Sequence, residues 1–284
     1  MKQAAREAQA DGRIVGLVPT MGALHEGHLS LVREARKRCA PVVVSIFVNP
    51  KQFGPQEDFT AYPRALEADK EKLEALGVEL LFAPEAAEMY PQGFKTWVSV
   101  EGLSERLEGQ SRPGHFRGVT TVVLKLLETV RPRLAYFGRK DAQQARIIRQ
   151  MAADLNLDAE IVVCPIVRET DGLALSSRNA YLKPEERRAA IVLYRALDAA
   201  RREIAAGERN APRLQAVMRG VLRAEPLAAT DYAEIVDADT FEPVTRVQGS
   251  TLALLAVRIG GTRLIDNMLI EPKGEDQDTF CVQL

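Results

Sequence analysis

Residues 13–50, "RIVGLVPTMGALHEGHLSLVREARKRCAPVVVSIFVNP", decide the fold. Two apolar runs rich in Val and Ile, "RIVGLV" and "PVVVSIFV", flank a segment of helical period at about residues 27–38. Parallel strands that are buried on both faces by helices have this near-continuous apolar character. The stretch therefore predicts a strand–helix–strand unit of a parallel sheet.

The same alternation continues along the chain. Further strands are predicted at "VELLFA", "RLAYF" and "AEIVVCPIV", and further helices at about residues 64–76, 117–130 and 140–155. In the helix at 117–130, valine and leucine follow i, i+3, i+4 spacing, which predicts a stripe that faces the core. We expect a Rossmann-like α/β fold with a doubly wound parallel sheet.

The pattern changes after residue 178. "PEERRAAIVLYRALDAARREIAAGE" predicts one long helix and residues 211–223 a second, and "DYAEIVD", "TLALLAV" and "TRLIDNMLIE" predict strands. Helices followed by a run of strands indicate a smaller C-terminal α+β domain, so we expect domains at 1–177 and 178–284. The last residues, "KGEDQDTFCVQL", are expected to form a polar tail with little order.

Composition excludes several classes of protein. With 46% hydrophobic and 27% charged residues, the chain has the composition of a soluble globular protein. Its 38 basic and 39 acidic residues nearly cancel, so we expect no nucleic-acid partner. No apolar run is long enough for a membrane span. Cys39, Cys164 and Cys281 form no CxxC pair, which favours a reducing cytoplasm.

Polar, Gly and Pro residues follow four of the predicted strands, where open parallel sheets bind their ligands. The four segments are "PTMGALHEGH" (19–28), "NPKQFG" (49–54), "GRKDAQQ" (138–144) and "RETDGLALSSRN" (168–179). A mere connection would not need these residues. Together the segments could close around one crevice, which indicates a ligand site.

The first segment holds two of the three histidines of the chain, His25 and His28. Gly22 and Gly27 permit close approach of the backbone, and His28 falls in the first turn of the following helix, where free N–H groups favour an anion. The imidazoles could therefore donate to phosphate oxygens. Two alternatives stay open: metal ligation, for which HxxH lacks a recognisable third partner, and histidines satisfied by local backbone.

Cations lie in two of the other segments. Lys140, at a predicted helix start, can reach phosphates as a mobile charge, although a helix simply capped by Asp141 would explain the same residues. Ser176, Ser177 and Arg178 offer several donors to phosphate oxygens, or they form a surface turn.

Neutral amides occupy the edge of the predicted site. Asn49, Gln52 and Gln144 suit the hydroxyl and carboxylate groups of a small polar substrate, because they bind without adding charge. Amides that close a turn after Pro50 are the alternative reading of the first two.

The segment "LEGQSRPGHFRGV" (107–119) groups Arg112, His115 and Arg117 between glycines. It is compatible with a flexible flap over phosphates and equally with a solvated loop. In the solvated-loop reading, Glu108 is an ordinary surface acid.

These segments, with "SIFVNPKQFGPQEDFTAYPR" (45–64), "DGLALSSRN" (171–179) and "RLIDN" (263–267), occur in the order and spacing of one family. From about residue 13 to about 271 the chain resembles the pantothenate synthetase (pantoate–β-alanine ligase) family. The HxGH element alone is shared with the wider HIGH nucleotidyltransferase superfamily, whereas the combination is specific.

The resemblance implies an enzyme, an AMP-forming acid–amine ligase of the pathway to coenzyme A. It would condense (R)-pantoate with β-alanine through a pantoyl adenylate and release AMP and diphosphate from ATP. Mg²⁺ is expected with ATP, and no tightly bound organic cofactor. The resemblance also implies a homodimer, and the C-terminal domain is expected to be a lid or to be associated with the dimer.

Site residues follow from the matched motifs. The resemblance places the ATP site on Met21, Gly22, Ala23, Leu24, His25, Glu26, Gly27, His28, Gly138, Arg139, Lys140, Asp141, Val167, Leu175, Ser176, Ser177 and Arg178. His28 matches the proton donor, and His25, Lys140 and Arg178 assist on the phosphates. Gln52 and Gln144, with Asn49, are assigned to pantoate, and Gln52 also to β-alanine. Asp69 matches an acidic position associated with Mg²⁺.

Three departures from the family are visible. Lys51 stands where Met or Thr is usual and Arg139 where Glu is usual, and both add positive charge. The amino terminus begins short of the strand and part of the helix that normally precede "GLVPTMG". The rival functions are another adenylyltransferase of the HIGH superfamily and a noncatalytic nucleotide-binding module. The near-neutral charge and the absence of a KMSKS segment count against a tRNA substrate.

Overall fold

The computed structural model describes residues 1–55, 57–273 and 276–284, with the backbone alone for residues 276–279. The chain divides into two compact units, Met1–Pro165 and Ile166–Leu284. The predicted boundary between residues 177 and 178 falls later than this division. The segment after residue 165 lies in the second unit, where Arg168 forms an ion pair with Asp266, far along the chain.

A parallel sheet forms the centre of the first unit. Among the described residues of this unit its strands are β1 (Gly16–Thr20), β2 (Val42–Ile46), β3 (Leu80–Phe82), β4 (Leu134–Gly138) and β5 (Glu160–Cys164). They lie in the order β3-β2-β1-β4-β5, and each neighbouring pair is parallel. The predicted strands and the Rossmann-like class are confirmed. The order reverses at β1, so the crevice beyond its carboxyl end is the position at which such sheets bind ligands.

Helices cover the sheet of the first unit. They are α1 (Lys2–Ala10), α2 (Glu26–Arg36), α3 (Leu66–Ala75), α4 (Ala86–Met89), α5 (Glu108–Ser111), α6 (His115–Val130) and α7 (Ala142–Asp154). The four predicted helices correspond to α2, α3, α6 and α7. The valine and leucine stripe of α6 is buried in the core, as its spacing predicts.

The two faces of the sheet carry separate hydrophobic clusters. Leu17 belongs to the cluster that contains residues of α1, α6 and α7, and its neighbour Val18 to the cluster that contains residues of α2 and α3. Val43 and Val44 divide in the same way. Successive side chains of a strand point to opposite faces, so strands buried on both sides need unbroken apolar runs. The doubly wound arrangement is thereby confirmed.

The second unit combines helices with an antiparallel sheet. Its described elements are α8 (Pro184–Ala189), α9 (Val192–Ala205), α10 (Ala211–Arg223), β6 (Ala228–Asp237), β7 (Thr251–Ile259), β8 (Thr262–Lys273) and β9 (Asp276–Gln283). The strands lie in the order β6-β7-β8-β9, and residues of α9 and α10 share one core with the sheet. The expected α+β class is confirmed.

The single long helix predicted from residue 184 is wrong. The chain turns between α8 and α9, where the Leu193 N–H donates to the Ala190 carbonyl at a three-residue spacing. Neither proline nor glycine marks the break, and Ala190 is fully buried. Tertiary packing, rather than the local sequence, therefore sets the turn.

The disordered polar tail is also wrong for residues 276–283, which form β9 antiparallel to β8. Phe280 pairs with Pro272 and Val282 with Ile270, and both side chains pack against the core of the second unit. Phe280, Val282 and Leu284 alternate with period two, a strand signal that the polar composition obscured. Residues 274 and 275, also part of the predicted tail, lie outside the described residues.

Candidate active site

The histidine pair closes the start of α2. His25 is the N-cap residue, and its Nδ1 accepts the Gly27 N–H at 3.2 Å. His28 lies in the first turn, as predicted, and its Nδ1 accepts the His25 N–H at 3.4 Å. A neutral imidazole whose Nδ1 accepts must carry its proton on Nε2. Each ring therefore offers an Nε2–H at the positive end of a helix.

Both imidazoles are neutral at pH 7. Burial, and then the nearby Lys140 ammonium, lower the pKa of His25 to about 4. Burial, then His25 and Lys140, lower the pKa of His28 to about 3, and Lys72 contributes as well. These rings are consequently uncharged hydrogen-bond donors. The positive charges near them belong to Lys72 and Lys140.

The two alternatives for the histidines have different outcomes. Local backbone satisfies one nitrogen of each ring, so that reading is right for the Nδ1 atoms. In residues 1–55, 57–273 and 276–284, apart from the undescribed side chains, no group of three His, Cys, Asp or Glu side chains could hold a metal ion. The geometry thus gives no support to a metal held by His25 and His28.

Helix α3 holds the loop that precedes the histidines. Asp69 is fully buried, and its carboxylate accepts the Leu24 N–H at 2.7 Å. Lys72, one turn further, donates to the Leu24 carbonyl at 2.6 Å and lies 3.9 Å from Asp69. Sequence reasoning missed Lys72, because a lysine in a charged helix is indistinguishable from a solvated surface residue.

Lys140 follows β4 in a short 3-10 turn, Arg139–Asp141. Its ammonium lies 3.9 Å from Asp141 and contributes to the low pKa of both His25 and His28, so the ends of β1 and β4 do converge. Asp141 occupies the N-cap position of α7 without a capping bond from its side chain. The reading in which Asp141 simply caps the helix is therefore not supported.

The amides at the end of β2 are buried and bonded to each other. The Asn49 amide donates to Gln52 Oε1 at 3.0 Å and to the Gly118 carbonyl at 3.1 Å, while Asn49 accepts from Tyr90 Oη at 2.8 Å. Asn49 also accepts the Lys51 N–H, so the turn-closing interpretation holds for this residue. Gln52 consequently turns its amide nitrogen toward Met21, whose sulfur lies 3.2 Å away. The ends of β1 and β2 thus meet.

Gln144 lies on the first turn of α7 and is only partly buried. The residue before it, Gln143, is buried and donates to the carbonyls of Leu103 and Arg106. The two adjacent glutamines are thus separated by their surroundings: Gln143 fixes the chain near residue 105, and Gln144 is the more accessible amide.

A buried network that sequence reasoning did not identify holds the turn of Gln52. His115 donates from Nδ1 to the Gln52 carbonyl at 2.8 Å and accepts from Arg112 at Nε2. Arg112 in turn forms a two-fold ion pair with Glu57, at 2.7 Å to each oxygen. Burial, and then the Arg112 guanidinium, lower the pKa of His115 to about 4.

Two expectations for this segment are wrong. It is neither a flexible flap nor a solvated loop, because His115 is buried on the first turn of α6 and Arg112 is paired. Glu108 is buried rather than an ordinary surface acid. The partners lie about 60 positions apart in sequence, so local patterns could not reveal the contact.

The two unusual cations of the first unit differ in exposure. Lys51 is exposed, and its ammonium lies 5.8 Å from the Trp97 ring centre and 5.9 Å from that of Tyr90. Arg139 is buried. The added charge of Lys51 is therefore directed onto an aromatic surface.

The remaining predicted residues lie in the second unit. The Leu175 N–H donates to the Val167 carbonyl at 3.0 Å, which closes a hairpin between them. Ser176 begins a 3-10 turn, Ser177–Tyr181, and its hydroxyl accepts the Arg178 N–H at 3.3 Å. The hydroxyls and guanidinium thus follow a tightly bonded hairpin rather than a free surface turn.

The sheet order, with a neutral histidine pair at the helix start after the central strand, defines an α/β nucleotide-binding protein with Rossmann-like topology. The sequence model of the family described as "Pantoate-beta-alanine ligase" matches residues 1–269. The chain belongs to the pantoate–β-alanine ligase family, and it is an enzyme of the ligase class.

Several known proteins are similar to this chain in sequence and in structure. The pantothenate synthetase of Heliobacterium modesticaldum is 59% identical over 266 residues, which are 94% of this chain and 95% of the relative. The crystal structure of pantothenate synthetase from Thermus thermophilus has a TM-score of 0.89 at 49% identity, covering 93% of this chain and 96% of that one. The pantoate-beta-alanine ligase of Francisella tularensis, solved in complex with beta-gamma ATP and beta-alanine, has a TM-score of 0.75 at 36% identity, covering 94% and 93%.

Within the described residues no helix has the length and apolar character needed to cross a membrane. Cys39 and Cys164 are buried free thiols, and Cys281 is an exposed one.

Proposed function

We propose that this enzyme condenses (R)-pantoate with β-alanine, using ATP, through a pantoyl adenylate, and releases AMP and diphosphate. The observation that carries the proposal is the pair of neutral Nε2–H donors of His25 and His28 beside Lys140, with the Gln52 amide next to Met21. We infer that these donors serve phosphate and that the Gln52 amide serves a carboxylate at the same end of the sheet. The Francisella relative was solved with beta-gamma ATP and beta-alanine, which supports ATP and β-alanine as two of these substrates.

In the first step a pantoate carboxylate oxygen attacks the α-phosphorus. The new O–P bond replaces the bond to diphosphate, which leaves with the electron pair. Negative charge grows on the phosphoryl oxygens and the leaving group, and preoriented donors stabilise it. We assign this work to His25, His28 and Lys140, and to Arg178 of the second unit.

In the second step the β-alanine amine attacks the acyl carbon of the adenylate. The C–N bond forms, the acyl C–O bond breaks, AMP leaves with the electron pair, and the amine nitrogen gives up a proton to solvent. The reaction needs no covalent nucleophile on the protein. Binding and orientation of the two acids therefore become the main tasks of the amide residues.

His28 is assigned as the proton donor, and its environment defines when it can act. In the unliganded chain its pKa of about 3 keeps the ring neutral. A bound triphosphate supplies negative charge, which favours the protonated ring and raises that pKa. Proton donation by His28 is therefore coupled to ATP binding. Before ATP raises the pKa, the neutral ring offers its Nε2–H as a hydrogen-bond donor.

The part of the site that we assign to the two acid substrates consists of amide side chains. We propose that Gln52 and Gln144 bind pantoate and that Gln52 also meets β-alanine. Asn49 is 1% exposed and uses its amide groups within the protein, so we assign it to pantoate through the orientation of Gln52.

The nucleotide is assigned to the residues that match the family's ATP site, grouped by segment. In the first unit they are Met21, Gly22, Ala23, Leu24, His25, Glu26, Gly27 and His28 in the loop and first turn after β1, and Gly138, Arg139, Lys140 and Asp141 after β4. In the second unit they are Val167, Leu175, Ser176, Ser177 and Arg178.

We expect Mg²⁺ to arrive on the triphosphate, because this ion keeps several waters and takes few protein ligands. Asp69, the position associated with it, is fully buried and accepts the Leu24 N–H, so it fits a role in holding the loop better than direct ligation. The residues present thus fit an ion carried by the nucleotide. When bound, it would neutralise phosphate charge during transfer.

The assembly and location of the enzyme are also proposals. We propose a homodimer in the cytoplasm, with the C-terminal domain as a lid or near the dimer contact. Light scattering on the purified chain measures the first, and a mass near twice 31.3 kDa is expected.

The reaction is tested by incubating purified protein with ATP, Mg²⁺, pantoate and β-alanine and measuring AMP and pantothenate. Omitting β-alanine should leave pantoate-dependent exchange of labelled diphosphate into ATP, which reports the adenylate. A folded protein that binds ATP and forms no AMP would instead be a noncatalytic module. AMP formation with another acid and not with pantoate would indicate a different adenylyltransferase.

A further inference from the structure

The motif "RLIDN" (263–267) contributes a buried carboxylate that no step of the proposed reaction uses. Asp266 lies on β8 and is 1% exposed at its side chain, and Arg168, its partner, is 11% exposed. The guanidinium contacts both carboxylate oxygens, at 2.7 and 2.9 Å. The pair thus joins the central part of β8 to the segment that follows residue 165.

The geometry of this pair is more informative than its charge. Removing two ions from water is costly, and a core in which apolar residues of similar volume replace a buried ion pair is often equally stable. A two-fold arginine–carboxylate contact, in contrast, fixes direction, because the planar guanidinium matches the carboxylate at both oxygens. The Asn267 N–H also donates to Asp266 at 2.8 Å, which holds the carboxylate in place.

Arg168 also contacts the turn of a hairpin, so its fixed orientation constrains that turn. Its guanidinium also donates to the Gly172 carbonyl at 3.0 Å, and its backbone pairs with Ala174. Gly172 has φ +95°, and a β-carbon there would lie 2.4 Å from the Tyr194 ring. The same ring lies 5.4 Å from the Arg168 guanidinium. The turn is therefore packed against α9 and ion-paired to β8.

Both ends of the hairpin carry residues assigned to the nucleotide. Val167 directly precedes Arg168, and Leu175 directly follows Ala174 and donates to the Val167 carbonyl. Any rotation of Arg168 would move these two backbones together. We propose that Asp266 and Arg168 are positioning residues, which set the hairpin of residues 167–175 and thereby the nucleotide groups at its ends. The inference rests on the proposed function, since it takes that segment to bind ATP.

The experiment compares Asp266→Asn and Arg168→Lys with a matched control. Asp266→Asn keeps the shape and removes the charge, and Arg168→Lys keeps the charge and removes the two-fold contact. Glu234→Gln is the control, because Glu234 pairs with Arg219 at 2.7 Å in the same unit and does not belong to the hairpin. Melting temperature, kcat, and KM for ATP and for pantoate are measured on each.

We expect the ATP KM to rise about tenfold or more in both hairpin variants, because small displacements of binding groups have effects of this size. The pantoate KM should change less than twofold, and the control should keep the ATP KM of the parent. A merely structural pair would lower the melting temperature and leave the ATP KM unchanged.

Parental ATP KM in folded Asp266→Asn or Arg168→Lys would overturn the inference while the proposed function stands. If Asp266→Asn does not fold, Arg168→Lys decides alone. Absence of AMP formation in the parent enzyme would instead contradict the proposed function, and direct binding of ATP by calorimetry would then decide whether the hairpin is set for the nucleotide.

Discussion

The α-carbon of Gly118 lies so close to the backbone of Lys51 that a β-carbon added there would stand 2.1 Å from the Lys51 carbonyl oxygen. The same atom would lie 2.7 Å from the α-carbon of Gln52. Helix α6 and the turn that carries Gln52 are therefore in direct backbone contact, and the glycine makes that contact possible.

Gly118→Ala should displace this turn, because neither backbone can yield as a flexible side chain would. We expect a loss of about 1–3 kcal/mol in the free energy of unfolding, as in overpacked cores. The pantoate KM should rise more than the ATP KM. Denaturant unfolding and steady-state kinetics on one preparation measure both.

Gly220→Ala is the matched control. It also lies inside a helix, α10, but a β-carbon there would meet nothing within 4 Å. This substitution should raise stability by about 0.5–1 kcal/mol through helix propensity and leave kinetics unchanged. If Gly118→Ala and Gly220→Ala change the free energy of unfolding equally, the close approach at Gly118 does not affect stability.

Replacing His28 separates its catalytic from its structural contribution. His28→Ala should lower kcat about 10²–10³-fold, the usual loss of one oriented donor, with a small change in melting temperature. His28→Gln places an amide N–H near the position of Nε2, so it should recover about tenfold over alanine if hydrogen bonding dominates. If His28→Gln shows no recovery over His28→Ala, proton transfer is the main role of His28. If His28→Ala keeps the parental kcat, His28 has no catalytic role.

Gln144→Ala should raise the pantoate KM about tenfold, the effect of one lost hydrogen bond of ~1.4 kcal/mol. The ATP KM should change much less. Gln150→Ala, on the same helix and bonded to Asp154, serves as the control with no expected kinetic change. The reverse order of the two KM effects would show that Gln144 faces the nucleotide instead.

Stability should fall as the pH falls from 7 to 4. The folded-state pKa values of His25, His28 and His115 are about 4, 3 and 4, against 6.5 for the free group. Below pH 6.5 the unfolded chain takes up protons that the folded chain does not, so unfolding is favoured until the folded pKa is reached. For buried His115 this amounts to about 3 kcal/mol.

Denaturant unfolding at several pH values between 4 and 7 measures this loss. His115→Gln, which retains a donor for the Gln52 carbonyl, should flatten the dependence within that range. Identical slopes for parent and variant would show that His115 titrates normally in the folded chain.

Asp69→Asn tests the position associated with Mg²⁺. The buried carboxylate holds the Leu24 N–H, so we expect kcat to fall while the Mg²⁺ concentration at half-maximal rate stays as in the parent. A titration of rate against Mg²⁺ at saturating ATP provides the measurement. A rise of about tenfold in that concentration would instead identify Asp69 as a ligand of the ion.

Much of the fold could be predicted because its determinants are local. Buried parallel strands require unbroken apolar runs such as residues 42–48, and the stripe of α6 follows helical spacing. The convergence of His25, Lys140 and Gln52 followed from the rule that parallel strands end at one edge. These inferences needed no knowledge of distant partners.

The contacts that sequence reasoning missed all join residues far apart in the chain. Asp69 meets Leu24, His115 meets Gln52, and Asp266 meets Arg168. A charged or imidazole side chain has the same local pattern whether it is solvated or buried against such a partner. The break after Ala190 and the strand at residues 276–283 were missed likewise, because packing overrides local composition there.

The order of the central sheet also has a consequence for biosynthesis. Strand β1 is flanked by β2 and β4, and β4 begins only at Leu134. At about 5–20 residues per second, the ribosome completes β4 on the order of ten seconds after β1. During that interval one edge of the central strand has no partner, and the crevice lacks the wall that Lys140 provides. A nascent chain stopped before residue 134 would therefore display an apolar strand edge, which favours association with other chains.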